Sequence, residues 1–485
     1  MRTQEEVVEA TNEDYSPISW ARWATPRRLI ALLIQWLAAF ALLSLFISNP
    51  FRSEPSAGAT PDYAKVMFLH GLLIGMVGLF ALLTLQVLKV RSMHARVWIS
   101  AGVVAATVLA SVGGIFDNKI PGAEVAMWTQ IFGFFALDEI LFVMVYAIVA
   151  EYKRGVLVAG RLPVVVAALA AASMFGAAIM GHLAGWLMEF GEAPGFVASY
   201  RSFAGFAKLD DWTGALVGSH SHEMAVSAMA LVVTLAAVQF GYKNLAGVSR
   251  NVARVGMGMI AVGVVGTSAL YLLGGFSTIA VPGFLTDGLT FTNGSIPPDD
   301  LFAGIMMMGG GVVVMAAFVK SLVHSPVRLA AAWAWVLSFA TVAVAGYAIE
   351  VNTANFFGAG DAKAKGAAND AIFTWMHQDV GLFLLPTVLA VMLVVELLVS
   401  SKARSKVIGL AAIGGTTVLF IGSMVWVFVS PTLFGAGYFI SAAGLLVVGA
   451  TLLATIHYSL VGHHRGQTKT VSPSRTAHPH TILLS

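Results

Sequence analysis

Five histidines fall at places where an apolar helical chain has no routine use for an ionisable side chain. His70 lies in Phe68-Leu69-His70-Gly71 and His182 in Met180-Gly181-His182-Leu183. His220 and His222 lie in Gly218-Ser219-His220-Ser221-His222-Glu223-Met224, and His377 in Trp375-Met376-His377-Gln378-Asp379. Such groups are costly in hydrocarbon, so each is a candidate for function. Neutral imidazole suits haem iron or another transition metal. A lone histidine near a span end is more often a hydrogen-bonded packing residue, and that reading weighs most for His182. Residues two apart on a regular helix face different ways. His220 and His222 can share one ion only if the helix starts irregularly there; otherwise one ligates and the other caps or reaches a loop. Glu223 can support an imidazole N–H, take part in proton transfer, or simply favour a positive helix start.

Carboxylates form the second set. Asp138 and Glu139 stand mid-way along an apolar run, and Glu396 near the end of another. Adjacent acids diverge around a helix, so at most one of Asp138 and Glu139 faces the protein interior. The functional reading is a path for protons or cations; the bland one is a polar contact with Tyr146 or Gln130. Trp128, Trp186, Trp212 and Trp375 fit an interfacial aromatic belt. Met306-Met307-Met308-Gly309-Gly310-Gly311 reads as a close-packing surface ahead of a methionine copper site, because successive residues diverge. His463, His464, His478 and His480 read as a solvated tail.

The elements that must position these residues follow from composition. Of 485 residues, 58% are hydrophobic and 11% charged, with a mean hydropathy of +0.82. Soluble domains carry about 25% charged residues, so lipid must be the solvent for much of this chain. No nucleic-acid partner is expected; the lipid bilayer is. The absence of cysteine excludes disulfides, iron–sulfur clusters, thiolate-bound haem and thiol catalysis, leaving histidine and carboxylates as metal ligands.

A span needs roughly 20 apolar residues to cross about 30 Å of hydrocarbon. Runs of that kind lie at about 29–48, 65–88, 97–116, 125–150, 162–188, 219–241, 253–274, 301–323, 328–349, 371–399, 407–430 and 434–459. Most Lys and Arg then fall on one side of the membrane, while Asp210, Asp211, Asp287, Asp299, Asp300 and Asp361 fall on the other. The positive-inside rule places both termini in the cytoplasm, and the expected location is the cell inner (plasma) membrane. The expected fold is all-α: a twelve-helix membrane domain over 26–462 between polar cytoplasmic tails at 1–25 and 463–485. No cleavable signal peptide is expected, because the first 28 residues are polar and the first apolar run is long enough to span. Loops at about 189–218, 275–300 and 350–370 are long, and 281–300 carries turn signals suited to folding back on the bundle. No tandem repeat is visible. In this topology the five histidines share one depth, in the outer half of the membrane.

With the spans in place, the histidine positions resemble those of the haem-copper oxidase catalytic subunit, which is similar to cytochrome c oxidase subunit I. The carriers are His70-Gly71 at the outer start of the second span, His220 or His222 on the sixth, and Asp370-x-x-Phe373-x-x-x-His377-x-Asp379 on the tenth. The resemblance implies a b-type haem and a second transition metal. His377 matches the high-spin haem ligand, His70 the low-spin ligand on the second span, and His220 or His222 a copper ligand. The chain also departs from that pattern. Asp379 stands where the second histidine of the tenth span belongs. Ser268-Ala269-Leu270-Tyr271-Leu272 has no histidine pair for copper, no tyrosine follows the sixth-span histidines at the usual spacing, and Ser430-Pro431-Thr432-Leu433 lacks paired arginines. A standard oxygen reductase is therefore not expected. His70 and His377 could join across one iron or hold a haem each.

His220-x-His222-Glu223-Met224 is also similar to an element of NnrS-type proteins, twelve-span haem proteins linked to nitric oxide. Two function classes follow. The first is a haem protein of respiratory electron transfer or nitric oxide and diatomic gas handling, and, if an enzyme, a haem-dependent oxidoreductase. Its iron ligands would be His70 and His377, with His220, His222 and His182 around a second metal. Its partners would be a small gas and an electron-donor protein or quinol at the outer face. The second is a secondary transporter or channel for protons or metal ions, using Asp138, Glu139, Glu223 and the histidines. A purely structural membrane protein is the remaining reading.

Overall fold

In lipid every backbone N–H and C=O must be satisfied within the segment, so long apolar runs fold as helices. The computed structural model describes residues 26–47, 63–117, 124–192, 195–276, 289–318, 325–350, 371–429 and 435–467, apart from 156, 158, 292, 293 and 297. Both polar tails, save 463–467 at the end of the last helix, lie outside the described residues. So do the 350–370 loop beyond Glu350, the Ser430–Leu433 connection, Asp370, His324, His478 and His480.

The long helices are α1 (Pro26–Ile47), α2 (Tyr63–Val87), α3 (Met93–Asp117), α4 (Glu124–Lys153), α5 (Arg161–Phe190) and α6 (Leu209–Gln239). They continue with α7 (Gly247–Phe276), α8 (Pro298–Phe318), α9 (Pro326–Glu350), α10 (Leu385–Leu398), α11 (Lys402–Phe428) and α12 (Ala436–Gln467). A π-helical stretch, Ala371–Leu384, runs directly into α10. Among the described residues nine helices are long and apolar enough to cross a membrane, and α1, α2 and α8 contain shorter apolar stretches. The chain is a helical, multi-pass membrane protein.

One small departure from all-α is a hairpin, Leu289–Phe291 paired antiparallel with Gly294–Ile296. It falls within the segment whose turn signals suggested folding back, and its second strand meets α9. A short helix, Phe196–Phe203, precedes α6. There Arg201 donates to Glu192 and to the carbonyls of Phe206 and Ala207.

Burial sorts the helices into two classes. In α6 83% of the membrane-length window is buried, and in the π-helical stretch with α10 89%, against 28% in α7. Residues 76–83 of α2 are also buried throughout. A helix that is apolar on every side belongs in an interior, and α2, α6 and α10 pack on one another there. The others close a ring around them in the order α1, α3, α4, α5, α7, α8, α9, α11, α12 and back to α1. Each interior helix is thus the last of four: α11, α12, α1 then α2; α3, α4, α5 then α6; α7, α8, α9 then α10. The longest contacts repeat with the same period, at α3 with α4, α7 with α8 and α11 with α12. This is a structural repeat that hydropathy does not display.

Small residues let those pairs approach. A Cβ on Gly133 would overlap the backbone of Ala110. Gly256 and Gly309 face each other's carbonyls across α7 and α8, and Gly422 and Gly444 do the same work between α11 and α12. The Met306–Gly311 run is accordingly a packing surface, with Met306 and Met307 buried and Met308 exposed.

Glu396, expected near the end of its span, is paired with Arg328 of α9 at 2.7 Å. Glu151 is buried and accepts from the Ser92 backbone N–H at 2.9 Å. Trp128 and Trp186 are exposed as belt residues should be, whereas Trp212 and Trp375 are buried. Their indoles donate to the Gly275 carbonyl and to Ser423, because interior position and a nearby acceptor outweigh interfacial preference.

Candidate functional site

The histidines sit on the interior helices or against them. His70 is on α2, His220 and His222 on α6, and His377 in the stretch leading into α10; His182 is on α5, the helix packed along α6.

α6 begins at Leu209, ten residues before the apolar run that marks its span. His220 and His222 therefore lie well inside a regular helix instead of opening it, and they diverge. His220 Nδ1 bonds the Ala177 carbonyl of α5 at 2.7 Å. His222 Nδ1 bonds the Gly218 carbonyl one turn back at 2.9 Å, and its ring stacks on Tyr271 of α7 at 5.3 Å. With Nδ1–H donated to a carbonyl, Nε2 keeps its lone pair, which is the usual preparation of a ligating histidine. Gly181 makes room for the first ring: a Cβ there would lie 2.5 Å from the His220 imidazole.

His70 and His220 face each other with ring centroids 6.2 Å apart and planes 8° from parallel. His70 also packs on Phe134 of α4. A cavity of about 60 Å³ lies between α2, α4, α5 and α6, lined by His70, His182, His220, Phe134, Leu137 and Met224 among others.

His182 reaches the same cavity but is engaged elsewhere. Its Nε2 lies 2.7 Å from Asp138 Oδ2 of α4, and its ring stacks on Phe135 at 5.0 Å. The Asp138 partner is thus His182, in place of the Tyr146 or Gln130 expected for a packing contact. Glu139 Oε1 is buried without a hydrogen bond. His377 has His222 as its histidine neighbour.

The five residues therefore divide into two groups. His70, His182 and His220 share the cavity; His222 and His377 lie on the other side of α6. His182, His220 and His222 do not converge on one ion, and among the described residues no group of three or more His, Asp or Glu is placed to hold a metal. The reason is helical geometry, since the regular α6 turns His220 and His222 apart.

Glu223 is fully buried and is not at a helix start. Its Oε1 accepts from Ser173 of α5 at 3.0 Å, and Ser173 also bonds Ser227 of α6 and Ser268 of α7. Glu223 Oε2 has no hydrogen bond. Sequence reading missed these serines and Gly181. Their signal was faint: single small polar residues in apolar helices, and a glycine immediately before His182.

The imidazoles of His70 and His220 are donors of the kind that iron accepts. The cavity itself has room for a small molecule, and a macrocycle there requires side chains such as Leu73, Phe134 and Met224 to turn aside. Asp379 is buried in the π-helical stretch. That stretch ends at Leu384, two residues before Pro386, which has no N–H for the Gly381 carbonyl five residues back, the partner that π-helical spacing would give it. Ser338 donates to that carbonyl at 2.6 Å.

No family model, no curated protein and no solved structure matches this chain.

Proposed function

We propose that this chain is a twelve-span protein of the plasma membrane, with both termini cytoplasmic, that binds haem through imidazole. It serves respiratory electron transfer or the handling of a diatomic gas such as nitric oxide, and is not a standard oxygen reductase. The observation that carries the reading is the parallel pair His70 and His220, held 6.2 Å apart by two interior helices. His220 is oriented by Ala177 and given space by Gly181. Geometry favours His220 over His377 as the partner of His70, and leaves His377 with His222 as a second candidate ligand pair. Bound iron held by both imidazoles would supply a reversible one-electron change, and a place for a diatomic ligand would exist only where one of them is displaced. The chain's own residues would exclude water, through Leu73, Leu137 and Met224, and hold the rings in register.

The test is the visible spectrum of the purified protein, oxidised and reduced, with metal analysis of the same sample. A Soret band with about one or two irons per chain is expected; a colourless, metal-free protein overturns the reading. That outcome would favour a proton or cation carrier centred on Glu223, whose burial among Ser173, Ser227 and Ser268 suits such a role.

Orientation is tested separately. Because the chain has no cysteine, single cysteines report without background. Lys208→Cys should react with a membrane-impermeant maleimide in intact cells, and Arg154→Cys only after lysis. The reverse pattern would invert the topology.

A further inference from the structure

The helical repeat leaves one of its seams open. Successive groups of four helices meet at α5 with α7, at α9 with α11 and at α1 with α3. Ser173 of α5 is hydrogen-bonded to Ser268 of α7 at 2.6 Å, and the Trp333 indole of α9 donates to Thr417 of α11 at 2.8 Å. Between α1 and α3 lies instead a groove of about 410 Å³, lined by Leu32, Gln35, Trp36, Val104, Thr107 and Val108 among others. Leu32, Val104 and Val108 are exposed there, and on the outside of a membrane bundle that surface meets hydrocarbon. Gln35 is the residue that hydrocarbon does not satisfy. It lies about six residues, or roughly 9 Å, inside the apolar run that begins at Leu29, too deep for a short side chain to reach water.

Gln35 is exposed, and its amide makes no hydrogen bond among the described residues. An amide carries both donors and an acceptor, so two of them at one depth satisfy each other. The exposed positions of α1 are spaced for such a meeting. Arg28, Leu32, Gln35 and Ala39 follow at intervals of four, three and four, the seam spacing of helices that pack side by side. The positions between them are buried or half-buried. A single polar residue on such a seam fixes its register, and the small Ala39 lets backbones approach. We propose that this groove is the interface of a symmetric dimer, occupied by α1 of a second copy of this chain. Both copies insert alike, so a two-fold axis along the membrane normal sets the two α1 helices parallel with Gln35 opposite the partner's Gln35. Each amide donates to the other, and each α1 lays its exposed stripe along the groove of the other copy. Lipid chains offer neither donor nor acceptor at that depth, and a foreign helix would need a polar group placed to match. The dimer does not depend on iron at His70 and His220.

The chain's lack of cysteine makes the contact readable by cross-linking. Leu32→Cys and Ala39→Cys, each alone in the full chain in native membranes, are oxidised with copper phenanthroline. Disulfide-linked species of twice the chain's mass are expected from both. Leu446→Cys, exposed on α12, should remain monomeric. Energy transfer between donor- and acceptor-labelled chains in liposomes, followed as lipid dilutes them, then measures the association. Gln35→Leu should shift the midpoint about tenfold toward higher protein density, as loss of two interhelical hydrogen bonds in lipid predicts. Gln35→Asn, which keeps an amide, should restore part of the shift. Size-exclusion elution of each variant confirms that it folds. Cross-links no stronger at Leu32 and Ala39 than at Leu446, an adduct of another mass, or an unshifted midpoint for folded Q35L overturns the dimer. A red protein that stays monomeric sinks this proposal alone, and a colourless protein that dimerises sinks the haem reading alone.

Discussion

On the proposed haem reading, replacing His220 by alanine should abolish the His70-centred Soret signal and its iron, while the protein still folds. The imidazole is the part of His220 that lies parallel to the His70 ring, and alanine removes it outright. Losing a hydrogen-bonding support of a metal ligand costs roughly 10–100-fold in affinity, and losing the ligand itself costs more. The fold loses less. The Ala177 carbonyl gives up one hydrogen bond, worth about 1 kcal/mol, and Gly181 already leaves space on that side. His70→Ala should behave in the same way. His222→Ala, whose ring lies on Tyr271 away from the cavity, should leave the His70-centred signal in place. The measurements are iron per chain and reduced-minus-oxidised absorbance, with thermal unfolding as the control. An H220A protein with native iron and spectrum removes His220 from the ligand set.

Gly133→Ala carries a large expected effect on stability. The added methyl would overlap the backbone N and Cα of Ala110, and backbone cannot rotate away as a side chain can. Overpacking costs typically 1–3 kcal/mol, and here the rigid α3–α4 contact should place the loss near about 3 kcal/mol. α4 also carries Phe134 and Asp138, so separation of the pair would displace the cavity wall. The control is Gly185→Ala on α5, where a Cβ meets nothing within 4 Å. There the better helix propensity of alanine, up to about 1 kcal/mol, should leave stability equal or slightly raised. Thermal unfolding in detergent and recovery from size-exclusion chromatography distinguish the two. Equal behaviour of G133A and G185A would mean that α3 and α4 are not so tightly packed.

The α6 boundary shows where sequence reading gives out. Residues 209–218 include Asp210, Asp211, Trp212 and Thr213, so hydropathy falls although the helix continues. Hydropathy measures the cost of meeting lipid, and one face of this end of α6 meets protein: Trp212 is buried against Gly275. The error mattered, because it made His220 and His222 look like a helix opening that could share an ion. Asp138 illustrates a different gap. Its place mid-span marked it as costly and therefore interesting, but nothing local identifies a partner 44 positions away at His182.

By itself the sequence determined the solvent and the helices. Apolar runs, sparse charge and absent cysteine are local properties, and lipid admits helices for such runs. It also marked the costly residues, since a histidine or acid in hydrocarbon stands out wherever its helix packs. Only the tertiary structure decided their company. It put α2, α6 and α10 inside the ring, turned His220 toward His70 and His222 toward Tyr271, and gave His182 to Asp138. Those outcomes depend on which faces of distant helices meet. Glycines such as Gly133 and Gly181 control that meeting by what they leave out, and a missing side chain shows its meaning only when the neighbour that fills the space is known.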